Sequence, residues 1–305
     1  MTDTALPAGQ PGPDPDDDPY LWLEDVDAEP ALAWVRARNA ETRARLEAWP
    51  PFGAVRDAIR DVLDASDRIP TVGRRGDHLY NFWQDASHPR GLWRRTTLAS
   101  YRTDQPAWEL LLDLDALGRE EGVSWTFAGA VALPADPDRV LLMLSRGGAD
   151  ACVVREFDLR TRERVAGGFE LPEAKTDIGW IDADTVLVGT DFGPGSLTDA
   201  GYARVVKRWR RGTPLSAAEI LFEAAATDVA AHAGYDPTPG FERLLVGRSP
   251  GFFETELHQV MPDGRVVPLD KPADAALAHW RRWVLLSLRS DWTVAGTTWP
   301  AGALL

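Results

Sequence analysis

Two helical stretches and a long run of short strands can be read from the spacing of apolar positions. Between Asp27 and Ala48, Leu32, Val35, Asn39 and Leu46 fall near one face of a helix, with Asp27 placed to cap it and Glu29 and Pro30 suited to its first turn. Val55, Ile59, Val62 and Leu63 follow at i, i+4, i+7 and i+8, which predicts a second amphipathic helix ending near Ser66. From Ile69 onward the period changes. Short β-branched and aromatic runs alternate with clusters of Gly, Pro, Asp and Asn, and helical spacing rarely exceeds two turns, so this region is predicted to be all-β.

The strand runs recur. "HLYNFWQDASHPRGLWRRTTL", "RVLLMLSRGGADACVVREFDL", "TVLVGTDFGPGSLTDAGYARVVKRW", "RLLVGRSPGFFETELHQV" and "WVLLSLRSDWTVAGTTW" each hold a strand, a turn-rich break and another strand. With Leu79, Val140, Val186, Leu244 and Val284 as equivalent points, the steps are 61, 46, 58 and 40 residues. A mean of about 50 suits a four-stranded propeller blade, which buries both faces only by stacking on its neighbours. A β-sandwich has similar strands, but several repeats of this length favour the propeller. The last segment stops partway through a unit, which reads as a truncated chain of four to five blades. The expected fold class is mainly β: an incomplete β-propeller preceded by a short α-helical segment, with an acidic tail over 1–19, helices over 20–68 and strands over 69–305.

Composition limits the partners. The formal net charge of −14 disfavours an extended nucleic-acid surface or an anionic membrane. The basic stripe "RVVKRWRR" from Arg204 to Arg211 reads as a solvated strand rather than an anion site. One cysteine, Cys152, excludes an internal disulfide framework and, inside an apolar run, reads as a core thiol. The N-terminal residues lack a basic stretch followed by an apolar one, and no run approaches the roughly 20 apolar residues of a membrane helix, so the cytoplasm is the expected location. Asp14, Asp16, Asp17 and Asp18 are interspersed with prolines, the composition of a disordered solvated tail rather than a metal site. The tryptophans, Trp83, Trp93, Trp125, Trp180, Trp209 and Trp283 among them, lie in or beside strands, where blade-to-blade packing is the expected role.

Three features invite a catalytic or binding reading. Gly247-Arg248-Ser249-Pro250-Gly251 fits G-x-S-x-G, yet a nucleophile elbow needs the backbone N–H of the residue after the serine, and Pro250 has none. The alternation after Phe253 predicts a strand, not a helix, so Ser249 is expected in a turn within a blade. Gly193 and Gly195 in "TDFGPGSLTDAG" lack the Gly-Lys-Ser/Thr ending and the following helix of a phosphate loop, and also read as a turn. His78, His88, His232, His258 and His279 show no zinc spacing. No catalytic, cofactor-binding or metal residue is therefore assigned from the sequence, and no cofactor is expected.

The opening "DPYLWLEDVDAEPALAWVRARN", with Tyr20, Trp22, Leu23, Glu24, Asp25, Trp34, Val35 and Asn39, resembles the N-terminal signature of the prolyl oligopeptidase family of serine peptidases. "RIPTVGRRGDHLYNFWQDASHPRGLWRRTTL", "VREFDL", "LPEAKTDIGW" and "GTDFGPGSLTDAGYARVVKRWRRGTPL" are similar to a bacterial branch of it. The resemblance runs from about Asp18 to at least Phe253. It implies a seven-bladed propeller set between an N-terminal helical segment and a C-terminal α/β-hydrolase domain that carries a Ser-Asp-His triad and acts on short peptides. This chain would supply the gate and part of the chamber wall, with the α/β-hydrolase domain and the last blades absent. A free-standing propeller that binds a peptide or protein is the alternative, and an independent esterase at Ser249 a remote third.

Overall fold

The computed structural model describes residues 18–305; the tail expected over 1–19 lies outside the described residues up to position 17. The chain divides into two compact units, one through Asp67 and one over Arg68–Leu305. In the first, a 3-10 turn at Leu21–Glu24 leads to α1 (Glu29–Glu47) and α2 (Phe52–Asp64). Asp27 does not cap α1. The N-cap is Ala28, with extended backbone and no side-chain bond. A capping side chain serves the N–H of the second or third helical residue, and Pro30 at the second position has none to give. Trp34 on α1 instead gathers Trp22 edge-on at 6.4 Å and Tyr20 at 6.0 Å, so part of the "YLWLED" stretch folds back onto its own helix.

The second unit is a series of antiparallel up-and-down sheets. The first orders β1 (Gly73–Arg75), β2 (His78–Trp83), β3 (Leu92–Thr97) and β4 (Glu109–Asp113), with α3 (Leu98–Tyr101) before β4 and α4 (Leu114–Glu121) after it. The second has β5 (Trp125–Leu133), β6 (Asp136–Arg146) and β7 (Cys152–Asp158), its outer position shared by β8 (Glu163–Arg164) and β9 (Glu170–Ala174). The third runs β10 (Asp177–Asp182), β11 (Thr185–Gly189), β12 (Val205–Arg210) and β13 (Glu219–Glu223). The fourth runs β14 (Ala230–Asp236), β15 (Arg243–Gly251), β16 (Glu254–Val260) and β17 (Val266–Pro268). Leu79, Val140, Val186 and Leu244 all fall on the second strand of their sheets, and Val284 on the second strand of the next pair, so the repeat in the sequence is the repeat in the fold.

Why the apolar runs are continuous follows from the stacking. On β6, Val140, Leu142 and Leu144 join a core with Tyr80, Trp93 and Leu111 of the first sheet, while Leu141 turns to a second core with Ile178, Trp180 and Val186 of the third. Side chains alternate across a strand, so a sheet covered on both faces needs apolar residues at consecutive positions. Charged residues join the same seams. Arg95 on β3 bonds Glu109 across its own sheet and reaches Asp138 of the second. Glu156 on β7, 1% exposed, takes Arg139 from its own sheet and both terminal nitrogens of Arg211 from the third.

The fifth segment departs from expectation. β18 (Ala276–Trp280) pairs with β19 (Trp283–Ser287), but β20 (Trp292–Val294) pairs with β21 (Thr297–Trp299) as a separate hairpin rather than with β19. The place beside β19 is taken by the last residues, through Leu286 N–H to Leu305 O and Leu305 N–H to Leu286 O, both 2.9 Å. The backbone turns too early in "RSDWTVAGTTW" for β20 to reach β19: Ala295 and Gly296 both adopt positive φ and close the hairpin locally.

Candidate cavity at the inner strand ends

In an up-and-down sheet the connection from second to third strand lies at the same end as the start of the first. That geometry brings together Asp150 from the β6–β7 turn, Tyr202 from the β11–β12 loop, Lys175, Thr176 and Asp177 at the start of β10, and His232 near the start of β14. They line a cavity of about 230 Å³.

The polar groups have defined partners. Lys175 Nζ sits 4.2 Å from the centroid of the Tyr202 ring, a cation–π contact that holds it to one wall. Asp177 keeps contact with solvent but stands in a concavity crowded by protein atoms. Loss of surrounding water pushes its pKa up, and the charge of His232 works the other way. The Nε2 of His232 lies 2.8 Å from Ser249 Oγ. His232 and Ser249 thus form a hydrogen-bonded pair in the fourth sheet, and Asp177 of the third lines the same cavity as His232.

Ser249 is not in a turn, contrary to the sequence expectation. It belongs to β15, paired with Ala230, and the turn comes later at Phe252 and Phe253. The register shifts between Arg248 and Gly251, so Pro250 sits in an irregularity where a missing N–H leaves no ladder bond unmade. The glycines of the pattern also have structural reasons. A Cβ on Gly247 would overlap the Glu256 carbonyl oxygen and stand 2.7 Å from Leu257 Cδ2, so glycine is required for β16 to approach. Gly247→Ala is therefore expected to cost about 1–3 kcal/mol, the range of a forced overpacking. An urea midpoint equal to that of the parent would show that β16 can move aside.

The arrangement supports hydrogen bonding and charge recognition, not acyl transfer. Ser249 has a histidine, but its carbonyl oxygen accepts Val229 N–H at 2.8 Å within the sheet, and Pro250 supplies no oxyanion donor. At the same end, Phe252 and Phe253 are 85% and 69% exposed and meet edge to face at 4.9 Å, which makes an aromatic tip at the solvent side.

Other residues singled out by sequence fall elsewhere. Cys152 is buried, and burial raises its pKa. Gly193 and Gly195 take positive φ in a loop where Ser196 Oγ accepts Phe192 N–H and donates to the Gly193 carbonyl. The stripe from Arg204 to Arg211 is not a solvated strand: Val205, Val206 and Trp209 are buried, and Arg211 enters the seam with Glu156. Among the described residues no group of three or more His, Cys, Asp or Glu is placed to hold a metal. No described helix is long and apolar enough to cross a membrane. Sequence reasoning missed the grouping of Asp177, His232 and Ser249 because they come from three strands and no local spacing announces them.

Comparison with known proteins adds the family. The model of the prolyl oligopeptidase N-terminal β-propeller domain matches residues 12–237. An uncharacterized peptidase of Sinorhizobium fredii is 39% identical over 297 residues, covering 94% of this chain and 41% of the relative. Another, from Rickettsia prowazekii, is 28% identical over 299 residues, again covering 41% of its length. Among solved structures, a post-proline cleaving enzyme from Rickettsia typhi superposes with a TM-score of 0.86 at 28% identity, over 93% of this chain and 43% of that one. Two oligopeptidase B structures, from Leishmania major and Trypanosoma brucei, share the fold at TM-scores of 0.63 and 0.65 and identities of 13% and 15%. The chain thus spans about two-fifths of the length of these relatives, and it belongs to the prolyl oligopeptidase N-terminal β-propeller family.

Proposed function

We propose that this chain is the propeller portion of a serine peptidase that hydrolyses short peptides in the cytoplasm, and that it gates substrate access to a C-terminal α/β-hydrolase domain bearing the Ser-Asp-His triad. The observation that carries the reading is the superposition on the post-proline cleaving enzyme over 93% of this chain. The division into a helical segment, residues 20–68, and a propeller segment, residues 69–305, belongs to the same reading.

In it, no residue of this chain attacks the peptide bond. The cavity end of the sheets faces the chamber, where Asp177, His232 and the Phe252–Phe253 tip meet the peptide before the nucleophile does. Serine chemistry would run on the other domain, with histidine as general base.

The 305-residue chain is accordingly expected to release no chromophore from a proline-containing chromogenic peptide. Turnover by this chain that Ser249→Ala abolishes would sink the proposal and restore the esterase reading.

A further inference from the structure

The seams between successive sheets carry one charged residue at an equivalent place. It is the residue before the partner of Leu79, Val140 or Val186 on the third strand: Arg95, Glu156 and Arg208. At the first seam Arg95 is answered by Asp138 of the next sheet, and at the second Glu156 is answered by Arg211 of the next sheet. At the third seam Arg208 bonds Glu219 of its own sheet at 3.3 Å and has no ion pair from the fourth. Its Nε is enclosed and has no hydrogen-bond partner among the described residues. Glu242, which holds the place that Asp138 holds in the second sheet, is exposed and makes no ion pair among the described residues.

The same seam is thinly packed. Four buried residues, Val206, Ala224, Ala231 and Val246, form its core, against ten in each of the other two, so apolar contact does not close it. What remains is a cleft of about 720 Å³ at the far ends of β10 and β14 from the cavity described above. Ile181, Ile220, Leu244 and Val260 line it with three guanidinium groups, those of Arg208, Arg210 and Arg243, and three carboxylates, those of Asp182, Glu219 and Glu242; Arg210 makes no ion pair among the described residues. Volumes of roughly 300–1,000 Å³ with an apolar lining and a few fixed polar groups are the usual form of small-molecule sites.

We propose that the cleft between the third and fourth sheets binds a small carboxylate with an apolar tail, whose carboxyl group supplies Arg208 with a counter-charge across the seam, beside the one that Glu219 gives it within its own sheet. In the neighbouring seams an internal partner occupies that place. Glu219 engages only Nη1 of the Arg208 guanidinium, and a guanidinium is matched in shape and charge by a carboxylate, while the apolar part of the lining accepts a short hydrocarbon or an aliphatic side chain. A hydrocarbon acid and the C-terminal residue of a peptide share this chemistry. The inference stands apart from the peptidase reading.

The test is ligand-observed NMR on the 305-residue chain with hexanoate, N-acetyl-leucine, and the uncharged hexanol and N-acetyl-leucinamide. At least one acid should bind ten-fold or more tightly than its uncharged counterpart, and the better acid names the source. R208M should weaken that acid at least ten-fold, whereas E242Q should leave it unchanged or tighten it. Equal binding of acids and uncharged counterparts overturns the proposal, as does full binding to a folded R208M. Failure of both acids to bind also overturns it. If R208M does not fold, the comparison of charged with uncharged probes decides alone.

Discussion

Glu156→Ala is expected to lower the unfolding free energy of the chain by about 3–5 kcal/mol, the range for removing one partner of a buried ion pair. The carboxylate is enclosed, with 0% side-chain exposure, and both of its oxygens are used: Oε1 by Arg139 at 2.5 Å and Arg211 at 3.0 Å, Oε2 by Arg211 at 2.8 Å and the Phe169 N–H at 2.7 Å. Truncation leaves two guanidinium groups and a buried N–H without their acceptor, in a seam also held by Phe169 and Trp209 at 5.0 Å. Gly168 is fixed by the same packing, since a Cβ added to it would stand 2.8 Å from Glu156 Cβ. Glu156→Gln should lose less, because it retains an acceptor for the Phe169 N–H. Urea unfolding followed by circular dichroism reads both, and a midpoint for Glu156→Ala within error of the parent would mean the seam does not depend on the pair.

The same group predicts an acid sensitivity. Burial works to raise the pKa of Glu156, and the hydrogen bonds from Arg211, Phe169 N–H and Arg139 outweigh it, so the folded value lies below the ordinary one. A carboxylate depressed in this way contributes its stability above the unfolded pKa of about 4.3 and loses it as pH falls through the folded value. The parent chain should therefore lose stability below about pH 4 more steeply than Glu156→Gln does. Matching pH profiles for the two would remove this residue from the acid response.

Trp125→Ala is expected to cost a comparable amount, about 3–5 kcal/mol, for a large aromatic removed from a packed core. Trp125 opens β5 at 1% exposure, and its Nε1 donates to Glu121 at 2.8 Å. Glu121 is held in turn by a two-pronged bond from Arg155 at 2.9 Å, and the guanidinium groups of Arg155 and Arg146 lie 4.9 and 5.2 Å from the indole centroid. The substitution thus opens a void at the first seam and takes one hydrogen bond from a carboxylate that is mostly enclosed. Trp125→Phe should recover most of the loss, since it refills the volume without the N–H. Trp283→Ala serves as the control, as Trp283 is 53% exposed on β19. A thermal midpoint for Trp125→Ala no lower than that of the control would contradict the packing argument.

The blade repeat was legible because burial on two faces writes itself into consecutive positions. "VLLML" in β6 and "VLV" in β11 are apolar at every step because these strands lie between neighbouring sheets. The motif in "GRSPG" was legible by exclusion, since Pro250 has no N–H whatever the fold around it. Its glycines were not: the need for Gly247 comes from the approach of β16, which the local residues do not display.

By itself the sequence determined the two N-terminal helices, the strand-rich character after Ile69, the equivalent points of the repeat and the family signature in "YLWLED", all consequences of local spacing and residue identity, though not the helix Leu114–Glu121 inside the strand region or the strand that holds Ser249. Only the tertiary structure decided which charges meet. His232 reaches Ser249 across 17 residues, and Glu156 reaches Arg211 across 55, through strand register and sheet stacking. Arg208 carries the same kind of charge as Arg95 in the same local pattern, yet the fourth sheet gives it no ion pair where the second sheet gives Arg95 one. That difference lies in how closely two sheets pack and where their side chains point, which depends on contacts between distant strands rather than on neighbours along the chain.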